Sequence, residues 1–250
     1  MKRSLDFTLS LVGLLLFSPV LLPVMFLVWI QDWHSPFYIA PRVGKNETIF
    51  KMVKLRSMVI NADKSGVDST SSSDKRITAV GRFIRKYKLD ELTQLWNVLV
   101  GDMSLVGPRP NVKRETDLYT SIEKKLLTVK PGITDFSSIV FSDEGEILKD
   151  SLDPDLDYNQ IIRPWKSRLG IAYIENYNIF LDVQLIYLTA VAIINKNKAL
   201  EGVSRILGKG LKGVTTEMIE VSLRKEPLRP TPPPGAKNVV TNREGRVDEV

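Results

Sequence analysis

Residues 88–110 read KLDELTQLWNVLVGDMSLVGPRP. Two adjacent carboxylates, Asp90 and Glu91, follow a basic cluster, and glycine- and proline-marked turns close on Arg109, held between Pro108 and Pro110. Over residues 75–110, seven bases (Lys75, Arg76, Arg82, Arg85, Lys86, Lys88 and Arg109) stand against three acids (Asp90, Glu91 and Asp102), a net charge of +4. The neighbouring acids therefore sit in a positive field. A site that binds phosphates while keeping a carboxylate ionised, as nucleophile or metal ligand, needs that setting. Helical spacing resumes at Ile77: Phe83, Ile84 and Tyr87, then Leu92, Leu95, Trp96 and Leu99, predict one inner face. Neighbours on such a helix point about 100° apart, so Asp90 and Glu91 can flank one site, one attacking while the other holds a hard metal ion. The competing reading makes Asp90 a cap for the second part of that helix. Arg109 offers a planar fork matched to phosphate oxygens, and Arg85 and Lys88 offer similar charge. Solvated surface charge is the simpler reading of Lys86 and Lys88.

Composition narrows the chemistry. A chain of 250 residues has room for one ordinary domain and extra segments. It has no cysteine, which excludes disulfides, thiolate catalysis and cysteine-ligated zinc, and a single histidine, His34, which excludes a multi-histidine metal site. A serine triad would need His34 buried and oriented, yet it lies at the edge of an apolar segment. Carboxylates, arginine, lysine and hydroxyls remain. The net charge of +6 suits anionic partners.

Residues 5–30 are almost wholly apolar and follow Lys2 and Arg3. As a straight helix they reach about 39 Å, enough for a hydrocarbon core of about 30 Å. The run is too long for a signal peptide, and no small-x-small cleavage site follows it. Ser18-Pro19 interrupts its middle and Pro23 follows one turn later; bases flank both ends, with Arg42, Lys45, Lys51, Lys54 and Arg56 beyond the second. An interior proline kinks a helix, and positive charge at both ends favours a cytoplasmic location for both. The residues alone fit either a true span or a kinked helix that enters and leaves by one face. Trp29 and Trp33 suit headgroup level.

Residues 37–58 are strand-like, broken by Pro41, Gly44 and Asn46, and residues 61–74 read as a polar mobile loop. KPGIT, from Lys130, is a turn; residues 143–157 are acidic and read as a solvated loop or helix face. Residues 178–195 are apolar but short for a span, which predicts a helix on the bilayer surface or in the core. Five prolines between 227 and 234 predict a disordered or extended tail.

Six stretches carry a likeness: Phe17-Ser18-Pro19; FKMVKLRSM from Phe50; RITAVGRFIRKYKLDELTQLWNVLVGDMSLVGPRP from Arg76; KPGIT; FLDVQLIYLTA from Phe180; and GVTTE from Gly213. Through them, over residues 2–216, the chain resembles the bacterial sugar transferase family, the small monotopic phosphoglycosyl transferases. The resemblance implies a mixed α/β, mostly helical fold. It would comprise an N-terminal re-entrant membrane helix (1–33), broken at Ser18 and Pro19, and a compact cytoplasmic catalytic domain (34–222) with short strands and interfacial amphipathic helices. A flexible Pro-rich tail (223–250) lies outside the likeness.

It implies that Asp90 attacks the β-phosphate of a UDP-sugar, that UMP leaves, and that polyprenyl (undecaprenyl) phosphate then takes the phosphosugar from the carboxylate. Glu91 would help hold Mg²⁺, and Arg109, with Arg85 and Lys54, would bind substrate phosphate. The expected setting is the cytoplasmic face of a bacterial inner (plasma) membrane, at the first membrane step of O-antigen, capsule, exopolysaccharide or glycoprotein glycan assembly. Nucleic acid is not an expected partner, and a homodimer is left open. The rivals are a membrane glycosyltransferase that releases UDP and a non-catalytic basic membrane-bound scaffold. Many members read Gly-Trp after KPGIT, whereas this chain has Asp135-Phe136 and then SSIVFSDEGEIL, a region expected to shape the nucleotide-sugar pocket. The multi-helix N-terminal module of larger relatives is expected to be absent.

Overall fold

The computed structural model describes residues 1–62, 73–242 and 247–249, so most of the polar loop expected over 61–74 lies outside the described residues. A long first helix, α1 (Lys2–Ile30), leads to an antiparallel hairpin, β1 (Phe37–Val43) and β2 (Ile49–Leu55), in register from Phe37 opposite Leu55 to Val43 opposite Ile49. Three short helices follow, α2 (Ala79–Lys86), α3 (Leu89–Leu92) and α4 (Leu95–Val100), and then β3 (Ser104–Val106). After α5 (Lys113–Thr116) and a 3-10 turn (Glu123–Thr128) comes β4 (Gly132–Thr134), parallel to β3. Small helices α6 (Phe136–Val140), α7 (Glu144–Ile147) and α8 (Pro154–Asp157) precede the longer α9 (Arg163–Asn176), α10 (Ile179–Ile194), α11 (Lys196–Leu207) and α12 (Thr216–Leu223). The protein is mostly helical with a few short strands, as the sequence predicted.

The KPGIT and VGPRP turns meet backbone to backbone. A Cβ on Gly132 would lie 2.1 Å from the Gly107 nitrogen, so neither strand end tolerates a side chain there. The main core gathers residues of β2, α4, β3, α6, α9, α10 and α11, among them Met52, Val98, Met103, Phe136, Leu169, Leu185 and Val203.

The single helix expected from Ile77 is instead broken. Lys88 adopts φ 55°, a left-handed conformation that resets the helical phase between α2 and α3. Ile84, Leu89, Leu95 and Val98 consequently face inward, while Phe83, Tyr87 and Trp96, expected on the inner face, are exposed.

Helix α1 runs from Lys2 to Ile30 with both prolines inside it, so the break expected at Ser18 and Pro19 is not seen as an interruption of the helix. Pro19 has no N–H for the Leu15 carbonyl four residues back, and the Ser18 hydroxyl donates to that carbonyl instead (2.8 Å). Both ends of α1 are tied to the same body. Near its start, Lys2 Nζ meets Asp182 of α10 at 2.5 Å, Arg3 donates to the Leu99 carbonyl (2.6 Å), and buried Asp6 accepts from Ser104 Oγ (2.9 Å) and the Leu105 N–H (3.1 Å). Past its end, Asp32 accepts from Arg56 (2.7 Å), which also donates to the Val28 carbonyl (3.3 Å). Between these ties the outward face is bare and apolar: Leu15 and Leu16 are 67% and 68% exposed, and Phe17, Val20 and Leu22 are exposed beside them. The inward face of its second half (Leu21, Val24 and Val28) forms a second core with Leu55, Ile84 and Leu89. Helix α10 is two-sided as well, burying Leu181, Leu185 and Leu188 while exposing Phe180, Val183 and Tyr187.

The proline-rich tail lies against the body as an extended arm. Thr231 N–H donates to the Gln160 carbonyl (3.0 Å), Arg168 to the Pro232 carbonyl (2.9 Å), Gln160 to the Val240 carbonyl (2.7 Å), and Val240 is fully buried.

Candidate active site

Asp90 stands in the first turn of α3, directly after the left-handed Lys88. Its side chain caps no helix, and its Oδ1 is buried without a hydrogen-bond partner, so the capping alternative is not realised. Two residues of α4 and its approach fix α3 against β2. Asn97 accepts from the Val53 N–H (2.9 Å) and donates to the Lys51 carbonyl (2.8 Å), imitating a neighbouring strand. The Thr93 hydroxyl sits within hydrogen-bond reach of the Val53 (3.2 Å) and Asp90 (3.1 Å) carbonyls. Lys54, one residue along β2, is thereby set beside Asp90. Neither Thr93 nor Asn97 stands out in sequence.

The five residues expected from the sequence, Lys54, Arg85, Asp90, Glu91 and Arg109, line one cavity of about 540 Å³, a size suited to a small-molecule ligand. They come from four places: β2, α2, α3 and the turn after β3. Glu91 pairs with Arg109 at 2.8 Å. Burial would raise the Glu91 carboxyl, but Arg109 foremost, with Lys88 and Lys54, holds it down at about 2. Asp90 goes the other way. Burial lifts its carboxyl above the ordinary value and Glu91 adds to the lift, against the pull of Lys54, Arg85 and Lys88. Lys54 is lowered to about 8, first by burial and then by Arg109, with Asp90 and Glu91 opposing. Glu91 on Arg109 raises the guanidinium further.

The wall formed by residues 138–145 corrects one expectation. Asp143 and Glu144, read as part of a solvated acidic stretch, line the cavity and are clamped by cations from distant helices: Lys166 of α9 holds Glu144, and Lys196 of α11 holds Asp143. Lys88 is exposed, as read from the sequence, and in addition lines the cavity and donates to the Ser142 carbonyl at 3.0 Å, tying residues 88 and 142 together. The unusual Asp135-Phe136 pair starts this wall. Fully buried Asp135 caps α6, accepting from the Ser138 N–H (2.7 Å) and the Ser137 hydroxyl (2.7 Å), and Phe136 fills the core beneath. The stretch SSIVFSDEGEIL, expected to shape the pocket, was the sequence signal for this wall, and Ser138, Ile139 and residues 141–145 of it do line the cavity; which of its side chains would do so was not legible.

Comparison with known proteins places the chain in a family. The bacterial sugar transferase family model matches residues 1–196, and the chain belongs to that family. It is 36% identical over 201 residues to the galactosyl transferase CpsE of Streptococcus agalactiae serotype III, covering 75% of this chain and 41% of CpsE. It is 33% identical over 214 residues to the undecaprenyl-phosphate galactose phosphotransferase of Salmonella typhimurium, covering 80% of this chain and 41% of that protein. Against the exopolysaccharide production protein ExoY of Rhizobium meliloti it is 33% identical over 207 residues, covering 77% and 84% respectively. The chain thus spans about four-tenths of the length of the first two relatives and most of ExoY.

Proposed function

We propose that this protein moves a sugar 1-phosphate from a UDP-sugar to polyprenyl (undecaprenyl) phosphate, producing polyprenyl-diphosphate-sugar and UMP through an aspartyl-phosphosugar intermediate. One observation carries the reading: a carboxylate with a buried, unpartnered oxygen, Asp90, lines a cavity shared with Lys54, Arg85, Lys88 and Arg109. Unlike Asp135, whose other oxygen caps α6, Asp90 caps no helix, and it sits among the cations that would hold a substrate's phosphates. An Asp90 oxygen attacks the β-phosphorus, forming an O–P bond, while the bond from that phosphorus to the bridging oxygen breaks and UMP carries the electron pair away. A phosphate oxygen of the lipid carrier then attacks the same phosphorus and the Asp90 O–P bond breaks, restoring the carboxylate. Splitting the transfer lets one cavity serve a water-soluble and a lipid substrate in turn. The four cations hold the phosphates and spread the charge of the transition state.

The donor set fits Mg²⁺. Glu91, next to Asp90 and lining the same cavity as Arg109, would hold the ion together with substrate phosphate, as hard oxygen-seeking cations require. When bound, the ion would add positive charge at the transferring phosphoryl group. Glu91 is now paired with Arg109, and exchange of that pair for phosphate on Arg109 frees the carboxylate for this role.

The membrane reading is monotopic, with α1 re-entering the cytoplasmic face of a bacterial inner membrane. Its support is that Lys2 and Asp6 at one end of α1, and Asp32 past the other, all contact one body, whereas a spanning helix delivers its ends to opposite faces. The glycan-assembly role rests on the names of relatives such as the Salmonella phosphotransferase and ExoY.

The test separates this reading from its rivals. Detergent-solubilised protein given UDP-sugars and polyprenyl phosphate should release UMP; release of UDP would identify sugar transfer alone, and no turnover would favour a scaffold. Asp90→Asn should reduce UMP release to background while membrane attachment and Tm stay unchanged. Mass spectrometry of protein trapped with UDP-sugar alone should find a hexose-phosphate adduct on Asp90, and retained turnover in the variant would defeat the assignment.

A further inference from the structure

The cavity has two chemically different walls. One carries Lys54, Arg85 and Arg109, suited to a diphosphate; the other carries Asp143 with its counter-charge. Asp143 and Glu144 are each neutralised by a lysine, Lys196 and Lys166, so these pairs offer no spare positive charge for a diphosphate and suit a neutral, hydroxyl-rich part of the ligand. Resting on the function proposed above, we infer that the Asp143–Lys196 pair grips the sugar of the UDP-sugar donor and helps set which sugar is accepted.

Three observations lead there. First, the pair presents a carboxylate oxygen beside an ammonium group, both about one-third exposed and both lining the cavity. A sugar hydroxyl donates one hydrogen bond and accepts others, so it can bridge such a pair in both directions. Second, the carboxylate is held from behind. Arg224, at the C-terminus of α12, has its NH1 3.9 Å from Asp143 Oδ1, and its guanidinium lies over the Phe141 ring at 5.3 Å from the centroid. Lys196, by an ion pair on Oδ2, and Arg224, by its charge 3.9 Å from an Oδ1 that has no hydrogen-bond partner, approach Asp143 from two separate helices and hold the carboxylate in place. Third, the wall is tied next to the reacting carboxylate: Lys88, two residues before Asp90, donates to the carbonyl of Ser142, the residue before Asp143. In a UDP-sugar the sugar hangs on the β-phosphate that Asp90 attacks, whereas the uracil lies beyond the α-phosphate. The position beside Asp90 therefore belongs to the sugar. Arg224 acts only through Asp143 and is a positioning residue.

The experiment measures KM for UDP-galactose, UDP-glucose, UDP-N-acetylglucosamine and UDP-N-acetylgalactosamine, together with inhibition constants for UDP and UMP, in the wild type and in Asp143→Asn. The substitution keeps the shape of the side chain and removes its charge. KM for the preferred donor should rise about 10- to 100-fold, the range for losing a hydrogen bond to a charged group, and the preference among donors should narrow. Inhibition by UDP and UMP should stay within about twofold, because neither carries the sugar. An equal weakening of UDP or UMP would move Asp143 to the nucleotide and overturn the inference, as would an unchanged KM and donor preference. Should Asp143→Asn lose its fold, Lys196→Met provides the same comparison with the carboxylate in place. Wild-type UMP release in the same assay shows whether the phosphotransfer reading stands, independently of how the variants behave.

Discussion

Lys54→Arg tests the electrostatics of the site through its pH profile. Lys54 is held at about 8, against an ordinary 10.5, because burial and Arg109 oppose its charge. The role proposed for it needs the charged form, so each pH unit above 8 removes about nine-tenths of the competent enzyme. The sign follows directly: kcat/KM rises with pH as the Asp90 carboxyl ionises, levels off, and falls as Lys54 loses its proton. At pH 9 roughly one Lys54 in eleven remains charged, so kcat/KM should stand about tenfold below its plateau. Arginine stays charged throughout this range, and Lys54→Arg should carry the plateau beyond pH 9 while leaving the acid limb where it was. UMP release at donor concentrations well below KM, from pH 5 to 9.5 in nanodiscs, gives the curve. The position of the alkaline limb is read and not the height of the plateau, since a longer side chain also alters packing. A wild-type profile flat to pH 9.5, or an alkaline limb that stays put in Lys54→Arg, refutes the reasoning.

Two further outcomes probe the body and the anchor. Glu123 is wholly buried and bonded to Arg163 (2.6 Å), Ser167 (2.7 Å) and the Thr120 N–H (3.1 Å). Glu123→Ala strands the buried guanidinium and should cost about 3–5 kcal/mol, a fall in Tm of roughly 6–20 °C by scanning fluorimetry; a shift below about 2 °C would contradict it. For topology, the absence of native cysteine allows single-site labelling at the exposed positions Ser4→Cys and Lys45→Cys. An impermeant maleimide should label both in inverted membrane vesicles and neither in intact spheroplasts, and labelling of the two from opposite sides would establish a span.

How much of this was readable in the chain follows from the range of the interactions. Asp90, Glu91, Arg85 and Arg109 lie within one run of sequence, and their convergence was visible as a charge pattern; Lys54 entered through its motif. The strand-like character of residues 37–58 was legible for the same local reason, whereas the mostly helical fold came from the family resemblance. The break at Lys88 was not, because lysine is no signal for positive φ and only packing of Leu89 against α1 and β2 rewards it. Asp143 and Glu144 looked solvated because their partners, Lys196, Arg224 and Lys166, are at least 22 residues away. Asp6 vanished into an apolar run for a like reason: Ser104 and Leu105, which satisfy it, lie 98 and 99 positions on.

The shared core of Leu21, Val24 and Val28 with Leu55, Ile84 and Leu89 has a practical corollary. Burying an aliphatic side chain contributes about 1.5–3 kcal/mol, and three of these six belong to the first helix. Deleting that helix to obtain a water-soluble fragment would therefore strip the floor from beneath the strand bearing Lys54 and the turn bearing Asp90. The first helix and the cavity are one folding unit, and a displacement of α1 reaches the turn bearing Asp90 through the side chains packed around Leu89.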